Sequence, residues 1–297
     1  MQAMILAAGF GTRLRPLTEQ RPKPLFPVFD TPLLLLLIEQ LQQAGCRKIL
    51  VNCHHLAGQI LAALSSFPDV SVLREQTILG TGGALRQALP LLDDEPLLVI
   101  NSDIVQNFDL YPLYQAHGRT GSPVTMVTHH YSRFASLEVN AAGEVRHIGQ
   151  DTKGHTQQKL AFTGVHIIEP AVIERIPPGK FYGIIDLYQQ LIAEGSFPYS
   201  ICINDRYWRD IGTIGDYLAV HAEILASPSL FAFLPRRLKA TGFISPSALI
   251  GNAVEIIDWA VVGAKAIVEE GVVLQRCIVW DKTRVAVGTK WVDTVVA

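Results

Sequence analysis

Residues 4–25 read MILAAGFGTRLRPLTEQRPKPL. The stretch begins as a buried strand, turns through two glycines, and then places three arginines, a lysine and three prolines within fifteen residues. A glycine-rich turn exposes backbone N–H groups, arginine offers a planar fork to phosphate oxygens, and lysine adds a compact positive charge. The stretch therefore predicts a loop that holds a polyphosphate. The alternative interpretation is a basic loop that faces water.

Two better-known phosphate-binding patterns do not match this loop. A dinucleotide-binding GxGxxG turn needs a third glycine where Leu14 stands, and no acidic residue closes the next strand-like run, KILVN at 48–52. The GxxxxGKS/T pattern of a P-loop is also absent. These departures disfavour a nicotinamide-dependent dehydrogenase and favour a phosphate cradle of another kind.

Outward from this stretch, short apolar runs alternate with helical patterns. The strand-like runs lie at 4–8, 48–52, 70–75, 96–103, 122–131, 135–148 and 160–170. Helical patterns lie at 30–45, 56–67, 80–92 and 184–195. The first of these has Thr31 as N-cap, Pro32 at the first helical position and Gly45 just past its end. The alternation predicts an α/β fold with a doubly wound, mostly parallel (Rossmann-like) mixed sheet.

The C-terminal part follows a different rule, because apolar residues recur there every six positions. The series is Ile244, Ile250, Ile256, Val262, Val268, Leu274 and Trp280. A hexapeptide period predicts a short left-handed parallel β-helix, each hexapeptide forming one side of a coil. We therefore expect a catalytic domain over 1–228 and a β-helix tail over 240–297. So short a stack is expected to lean on the N-terminal domain or on another subunit.

Composition narrows the function classes further. The chain has 297 residues, 49% of them hydrophobic, and a net charge of −2, so no global field attracts nucleic acid or an anionic membrane. Its longest aliphatic run, 33–38, is far shorter than the roughly 20 residues that span a bilayer. No signal-peptide pattern opens the sequence, and the four cysteines form no CxxC pair. These features predict a cytoplasmic protein without structural zinc.

Carboxylates stand beside the predicted ligand-binding edge of the sheet. The opening loop, LGTGGAL at 79–85 and the loop at Asp103 all leave the carboxyl ends of predicted strands, where open α/β sheets bind ligands. Asp210, in YWRDIGT, is a second candidate. Two carboxylates and nucleotide phosphates are a typical Mg²⁺ arrangement; the alternative for each is a turn or cap residue. The pairs at 54–55 and 129–130 do not favour a histidine site, because adjacent strand residues face opposite sides.

At this point the residues resemble a known family. Residues 6–25, LAAGFGTRLRPLTEQRPKPL, are similar to the LAAGxGTRLxPLTxxxPKPL signature of sugar-1-phosphate nucleotidylyltransferases. The motifs LGTGGAL, NSD and WRDIGT resemble later motifs of that family in the same order, so the resemblance covers 3 to about 225. The tail, including CIVWD at 277–281, resembles that of mannose-1-phosphate guanylyltransferase-like members.

The resemblance implies a reaction and a set of roles. A sugar-1-phosphate oxygen attacks the α-phosphorus of a nucleoside triphosphate, and pyrophosphate leaves. Arg13 is expected to hold the β- and γ-phosphates, and Lys23 the α-phosphate. Asp103 and Asp210 are the expected Mg²⁺ ligands. The expected nucleotide contacts are Ala8, Gly9, Gly11, Thr12, Gly82 and Gly83, and the expected sugar contacts are Thr163, Gly164 and Glu138.

The resemblance is incomplete on the sugar side. Many members carry Gly-Asp where this chain has Ser102-Asp103, and the Glu-Lys-Pro segment that touches the sugar phosphate has no counterpart in 147–155. The tail favours GTP with mannose 1-phosphate or a related hexose or heptose phosphate. An N-acetylmuramate or hexose 1-phosphate uridylyltransferase and a non-catalytic regulatory homologue are the alternatives. We expect no nucleic-acid or membrane partner, and a homo-oligomer assembled through the tail.

Overall fold

The structure is a computed structural model that describes residues 1–149, 158–231, 238–239 and 241–297. The chain divides into two compact units. The first contains Met1–Phe10 and Leu37–Trp208, and the second contains Gly11–Leu36 and Arg209–Ala297. The opening stretch is therefore divided between the units, its strand in the first and its basic residues in the second. No helix in the described part of the chain is long and apolar enough to cross a bilayer.

A mixed sheet forms the centre of the first unit. Its nine strands in the described residues are Gln2–Leu6, Lys48–Cys53, Val70–Arg74, Leu97–Asn101, Val124–His129, Ala135–Val139, Val145–Ile148, Gln158–Ile168 and Tyr199–Cys202. Gln2–Leu6 lies between Lys48–Cys53 and Leu97–Asn101 and pairs with both in parallel. The near-continuous apolar runs of these strands suit a sheet that is buried on both faces.

The prediction of mostly parallel pairing holds for the N-terminal strands and is wrong around Gln158–Ile168. This long strand pairs antiparallel with Leu97–Asn101, Val124–His129 and Ala135–Val139. Ala135–Val139 and Val145–Ile148 also form an antiparallel pair. Apolar runs reveal that a segment is a buried strand, but they do not encode its direction, so the antiparallel pairing of Gln158–Ile168 was not predicted.

Helices alternate with the strands along the chain. The α-helices are Leu17–Gln20, Leu33–Gln43, Ala57–Leu64, Gly80–Ala88, Leu110–Thr120, Pro170–Ile173, Ile184–Ala193 and Ile214–Ala226. Short 3₁₀ turns lie at Thr12–Leu14, Lys23–Leu25, Leu89–Leu91, Ser132–Phe134 and Pro228–Leu230. The predicted cap at Thr31 is wrong, because Thr31–Pro32 pairs with Pro27–Val28 and the helix begins at Leu33. Leu85 and Leu187 pack with Met4 and Val99 in one buried core.

The tail in the second unit is built from short parallel strands. They are Gly242–Ile244, Leu249–Ile250, Glu255–Val262, Ile267–Val268, Val273–Val279, Arg284–Val285, Lys290–Val292 and Val295–Val296. Each strand pair described in this segment is parallel, and paired residues such as Leu249 and Ile267 are one turn of the repeat apart. Val262, Val268 and Leu274 are buried together, as the six-residue period predicted.

Two further strands complete the described elements. Ile104–Gln106 lies in the first unit, directly after Asp103. Trp208–Asp210 spans the boundary between the units, so the chain enters the second unit within the WRDIGT motif. Both predicted carboxylates therefore adjoin short strands and have well-defined backbones.

Candidate functional site

The carboxyl ends of three parallel strands are tied together by a buried polar network in the first unit. The Ala7 N–H donates to Asn52 Oδ1 (2.7 Å), and Asn52 Nδ2 donates to Glu75 Oε1 (2.6 Å). The other oxygen of Glu75 accepts the Leu79 N–H (3.0 Å). Glu75 is only 2% exposed. Sequence analysis did not identify Glu75 as a candidate, although it lies just beyond a strand as Asp103 does.

The glycines of LGTGGAL are packed against another segment of the first unit. Gly82 N–H and Gly83 N–H both donate to the Tyr182 carbonyl (2.9 and 3.1 Å). A Cβ on Gly83 would lie 2.7 Å from the Lys180 carbonyl oxygen, and one on Gly80 equally close to that of Tyr182. Close backbone packing therefore requires glycine at these positions, and both N–H groups already have a partner.

The opening loop has a different environment. Ala8 is buried and Gly9 exposed at the end of the first strand, and a Cβ on Gly9 would meet no heavy atom within 4 Å in the described structure. Gly11, in the second unit, has φ +60°, and its carbonyl accepts the Leu14 N–H (2.9 Å). Thr12 is exposed. The loop thus leaves open backbone at Gly9 and needs glycine at Gly11 for its turn.

Arg13 and Asp210 converge in the second unit. A Cβ placed on Gly212 would lie 2.6 Å from Asp210 Oδ2 and 3.0 Å from Arg13 Nη2. Because Gly212 has no side chain, the exposed Arg13 guanidinium and the Asp210 carboxylate both lie close to the position that its Cβ would occupy. Arg13 lies in the first of the sequence motifs and Asp210 in the last. The fold, and not the local sequence, therefore brings them together. Only glycine fits between them without displacing one.

Lys23 occupies a buried position in the second unit. It begins the Lys23–Leu25 turn between Pro22 and Pro24 and is 9% exposed. A Cβ on Gly11 would come within 3.4 Å of Lys23 Cβ, so the glycine turn lies directly against the lysine. A buried ammonium is stabilised by polar or anionic partners, and a negatively charged ligand is one partner of that kind.

The residue before Asp210 anchors that carboxylate's backbone. Arg209 forms ion pairs with Glu223 and with the buried Asp216 (3.8 Å to Oδ1). Asp216 also accepts a hydrogen bond from the Thr213 hydroxyl, whose oxygen caps the helix Ile214–Ala226. The WRDIGT motif is therefore held on the N-terminal end of this helix.

The predicted sugar contacts lie in the first unit and differ in their availability. The Thr163 hydroxyl donates to the Val127 carbonyl (2.8 Å), so it has an internal role. Gly164 has φ +80° and a Cβ there would lie 2.6 Å from Asn101 Nδ2. Glu138 is 6% exposed, and its Oε1 has no hydrogen-bond partner among the residues that the structure describes. Its cross-strand neighbours are Lys159 and His147.

The predicted metal ligands form a sparse donor set. Asp103 is partly exposed in the first unit, and Asp210 is partly exposed in the second. Within the described ranges, no group of three or more His, Cys, Asp or Glu side chains is placed to hold a metal ion. A carboxylate is a ligand type that suits Mg²⁺, and this ion uses few protein ligands beside a nucleotide because phosphates and water supply the others.

Comparison with known proteins identifies relatives over most of the chain. The family model described as nucleotidyl transferase matches residues 2–227. A mannose-1-phosphate guanylyltransferase catalytic subunit beta from Danio rerio is 30% identical over 94% of this chain and 81% of that protein. A UTP–glucose-1-phosphate uridylyltransferase from Synechocystis sp. is 27% identical over 100% of this chain and 87% of that protein.

Solved structures match about three quarters of the chain. HddC from Yersinia pseudotuberculosis superposes with a TM-score of 0.62 at 25% identity, over 74% of this chain and 97% of that one. A putative glucose-1-phosphate thymidylyltransferase from Bacillus anthracis has a TM-score of 0.66 at 19% identity, over 75% and 94% of the two chains, which shows a common fold.

Proposed function

The chain belongs to the nucleotidyl transferase family as a sugar-1-phosphate nucleotidyltransferase, and we propose that it joins GTP to mannose 1-phosphate or a related hexose or heptose phosphate. Relatives named mannose-1-phosphate guanylyltransferases, from Danio rerio and Mycobacterium tuberculosis, support these substrates. The uridylyltransferase relative supports UTP with glucose 1-phosphate as the second candidate.

The proposed reaction is one in-line displacement. An oxygen of the sugar phosphate forms a bond to the α-phosphorus, while the bond from that phosphorus to the β-bridging oxygen breaks. Pyrophosphate leaves with the electron pair, so no covalent intermediate on the protein is needed. Such catalysis depends on positioning the reactants and stabilising the charge that develops on the phosphates.

The observation that carries the proposal is the convergence of Arg13 and Asp210 at Gly212. Arg13 would fork the β- and γ-phosphates and the departing pyrophosphate. Lys23, buried against Gly11, would contact the α-phosphate and the incoming phosphate. Asp103 and Asp210 would hold Mg²⁺, which neutralises phosphate charge when bound.

Nucleotide recognition would use the two glycine turns in different ways. Ala8, Gly9, Gly11 and Thr12 would line the nucleotide, since the backbone at Gly9 is open to a ligand. The turn at 82–83 would border the base by its shape, because its N–H groups donate to the Tyr182 carbonyl. The protein thus would offer hydrogen-bond donors at the opening loop and a close-packed wall at the second turn.

Sugar recognition would depend on Glu138. Its buried Oε1 lacks a partner in the described structure and can accept a hydrogen bond from a sugar hydroxyl. Gly164 and Thr163 would contact the sugar through their backbone, because the Asn101 side chain fills the Cβ position of Gly164 and the Thr163 hydroxyl is already bonded.

We also propose the domain division at 1–228 and 240–297, with the tail a left-handed parallel β-helix. Support comes from the parallel pairing and from corner residues with positive φ, among them Asp258, Arg276 and Asp293, which recur once per turn of the repeat. Arg276 forms ion pairs with both aspartates, so ion pairs connect successive turns of the repeat at this corner. The exposed apolar strand Leu249–Ile250 suits self-association of the tail.

A pyrophosphate-release assay tests the proposal. GTP, UTP, ATP, CTP and dTTP would each be combined with mannose, glucose and N-acetylhexosamine 1-phosphates. We expect turnover with GTP and mannose 1-phosphate. Preference for UTP and glucose 1-phosphate would replace those substrates with the second candidate, and no turnover with any pair would favour the regulatory homologue.

Two variants test the assigned roles. Arg13→Ala and Lys23→Ala should each lower kcat by about 10²-fold, because each removes charge contacts made in the transition state. Arg15→Ala is the matched control, since Arg15 is exposed and its ion pair with Glu19 is long, at 3.9 Å. Normal turnover of either test variant would contradict the mechanism.

A further inference from the structure

The segment Arg21–Phe29, which carries Lys23, is bound at its first residue by the tail. The Arg21 guanidinium lies 4.6 Å from the centroid of the Trp280 ring. Its Nη2 also forms a 2.7 Å ion pair with Asp281 Oδ1. The Trp280 ring, 2% exposed, meets the Phe26 ring edge-on at a centroid distance of 4.8 Å. Two adjacent tail residues therefore contact both sides of the Lys23 position.

A fully buried tyrosine extends this contact to the next part of the segment. Trp280 Nε1 donates to the Tyr217 hydroxyl (3.3 Å), which in turn donates to the Pro27 carbonyl. Burial raises the pKa of Tyr217, so this hydroxyl remains protonated and keeps donating. The Tyr217 ring also contacts Phe26, at 5.5 Å between centroids. Two successive hydrogen bonds thus link Trp280 in the tail to the Pro27 carbonyl, in the same segment as Lys23.

The far end of the segment is held in an unusual conformation. Phe29 has φ +60°, which is rare for a bulky residue. Its N–H donates to His221 Nε2 (3.0 Å), and its ring lies 6.1 Å from that of Phe243 in the tail strand Gly242–Ile244. Burial lowers the pKa of His221 to about 4, so the imidazole is neutral at pH 7 and can accept this bond. Tail and helix therefore fix both ends of the segment.

The direction of the Trp280 side chain indicates that this contact is specific. The six-residue period predicts Trp280 inside the coils, beside Val268 and Leu274. In the structure the neighbouring Val279 is in the buried cluster with those residues, and Trp280 packs on Phe26 instead. The register shifts before Trp280, so Val279 pairs with Val262 and fills the interior position, and Trp280 packs on Phe26 outside that cluster.

We propose that Trp280 and Asp281 are positioning residues for Lys23, and that the tail thereby keeps the phosphate-binding segment in its productive geometry. The inference rests on the proposed function, in which Lys23 contacts the reacting phosphates. A misplacement of about 1 Å at such a contact can cost about 10²-fold in rate. Loss of the tail contact should therefore lower kcat more than it weakens nucleotide binding.

Paired tryptophan variants of the full chain test this role. Trp280→Ala should lower kcat about 10-fold or more, with KM for the nucleotide changed less than about threefold. Hydrogen exchange should become faster in peptides that cover 21–29. Trp280→Phe should recover most of kcat, because a ring still contacts Phe26 and Arg21. Trp291→Ala is the control, since Trp291 is 37% exposed and its Nε1 donates within its own strand region, to Thr289.

The outcomes separate this inference from the proposed function. A wild-type chain without turnover refutes the proposed function. An active wild type with normal kcat in folded Trp280→Ala, or with unchanged exchange over 21–29, overturns the positioning role. If Trp280→Ala does not fold, Arg21→Asp and Asp281→Arg take its place. Each alone should lower kcat, and the double variant should restore it; equal loss in the double variant also overturns the proposal.

Discussion

The turn after the strand Gln2–Leu6 and the turn that opens the helix Gly80–Ala88 are both rich in glycine, yet their surroundings differ. At Gly83 an added Cβ would lie 2.7 Å from a backbone oxygen of Lys180, whereas at Gly9 it would meet nothing within 4 Å in the described residues. The N–H groups at 82–83 donate to Tyr182. Glycine in one turn allows two backbones to touch, and in the other it leaves backbone open to a ligand.

The largest effect should come from filling the packed turn. We expect Gly83→Ala to lower the free energy of unfolding by about 2–3 kcal/mol, because residues 180–183 must move to admit the methyl group. Chemical denaturation of both proteins measures the loss. Gly118→Ala is the control: its Cβ would find open space in the helix Leu110–Thr120, so stability should not fall. Unchanged stability of Gly83→Ala would show that the turn adapts and would remove the contrast.

A smaller effect, and on activity alone, should follow from filling the open turn. Gly9→Ala should leave the free energy of unfolding within about 0.5 kcal/mol of the wild type, since the site is exposed and its φ is not positive. It should lower kcat/KM for the nucleotide about 10-fold, because the methyl group keeps phosphate away from the backbone. Steady-state kinetics beside denaturation measures both quantities. Wild-type kcat/KM would place the nucleotide elsewhere.

The sequence was informative where structure follows from local order. Periodicity predicted the strands at 48–52 and 70–75 and the helix before Gly45, because apolar residues recur in each at the spacing typical of its element. Val262, Val268 and Leu274 are buried as their six-residue spacing predicted, whereas Ile244 and Ile250 of the same series are exposed. Both patterns arise because a face of each segment is buried. The apolar residues that form this face lie within the segment itself, so its own sequence shows them.

Contacts between segments that are distant in the sequence were not predicted. Gly83 is packed by a loop about a hundred residues away, and nothing in LGTGGAL names that partner. Likewise, the outward turn of Trp280 depends on Phe26, near the other end of the chain. Such features depend on which surfaces meet, and a single sequence does not encode this locally.

The smallest effect concerns the link between the two turns. Glu75 joins them, because it receives the Asn52 amide that holds Ala7 and also receives the Leu79 N–H. Glu75→Gln keeps the shape but has one acceptor for two donors, so we expect a loss of about 1 kcal/mol in the free energy of unfolding. Glu39→Gln, on an exposed helix surface, should change it by less than about 0.5 kcal/mol.

A double-mutant cycle shows whether this link is real. Leu79 is shared by both contacts, since its N–H bonds Glu75 and its carbonyl accepts the Tyr182 N–H (2.8 Å). If Gly83→Ala displaces this turn, the Glu75 bond is already weakened there, so the combined loss with Glu75→Gln should fall short of the summed single losses by about 0.5 kcal/mol or more. Additive losses would mean that Glu75 and the packed turn act independently, and that the two glycine turns are neighbours without being coupled.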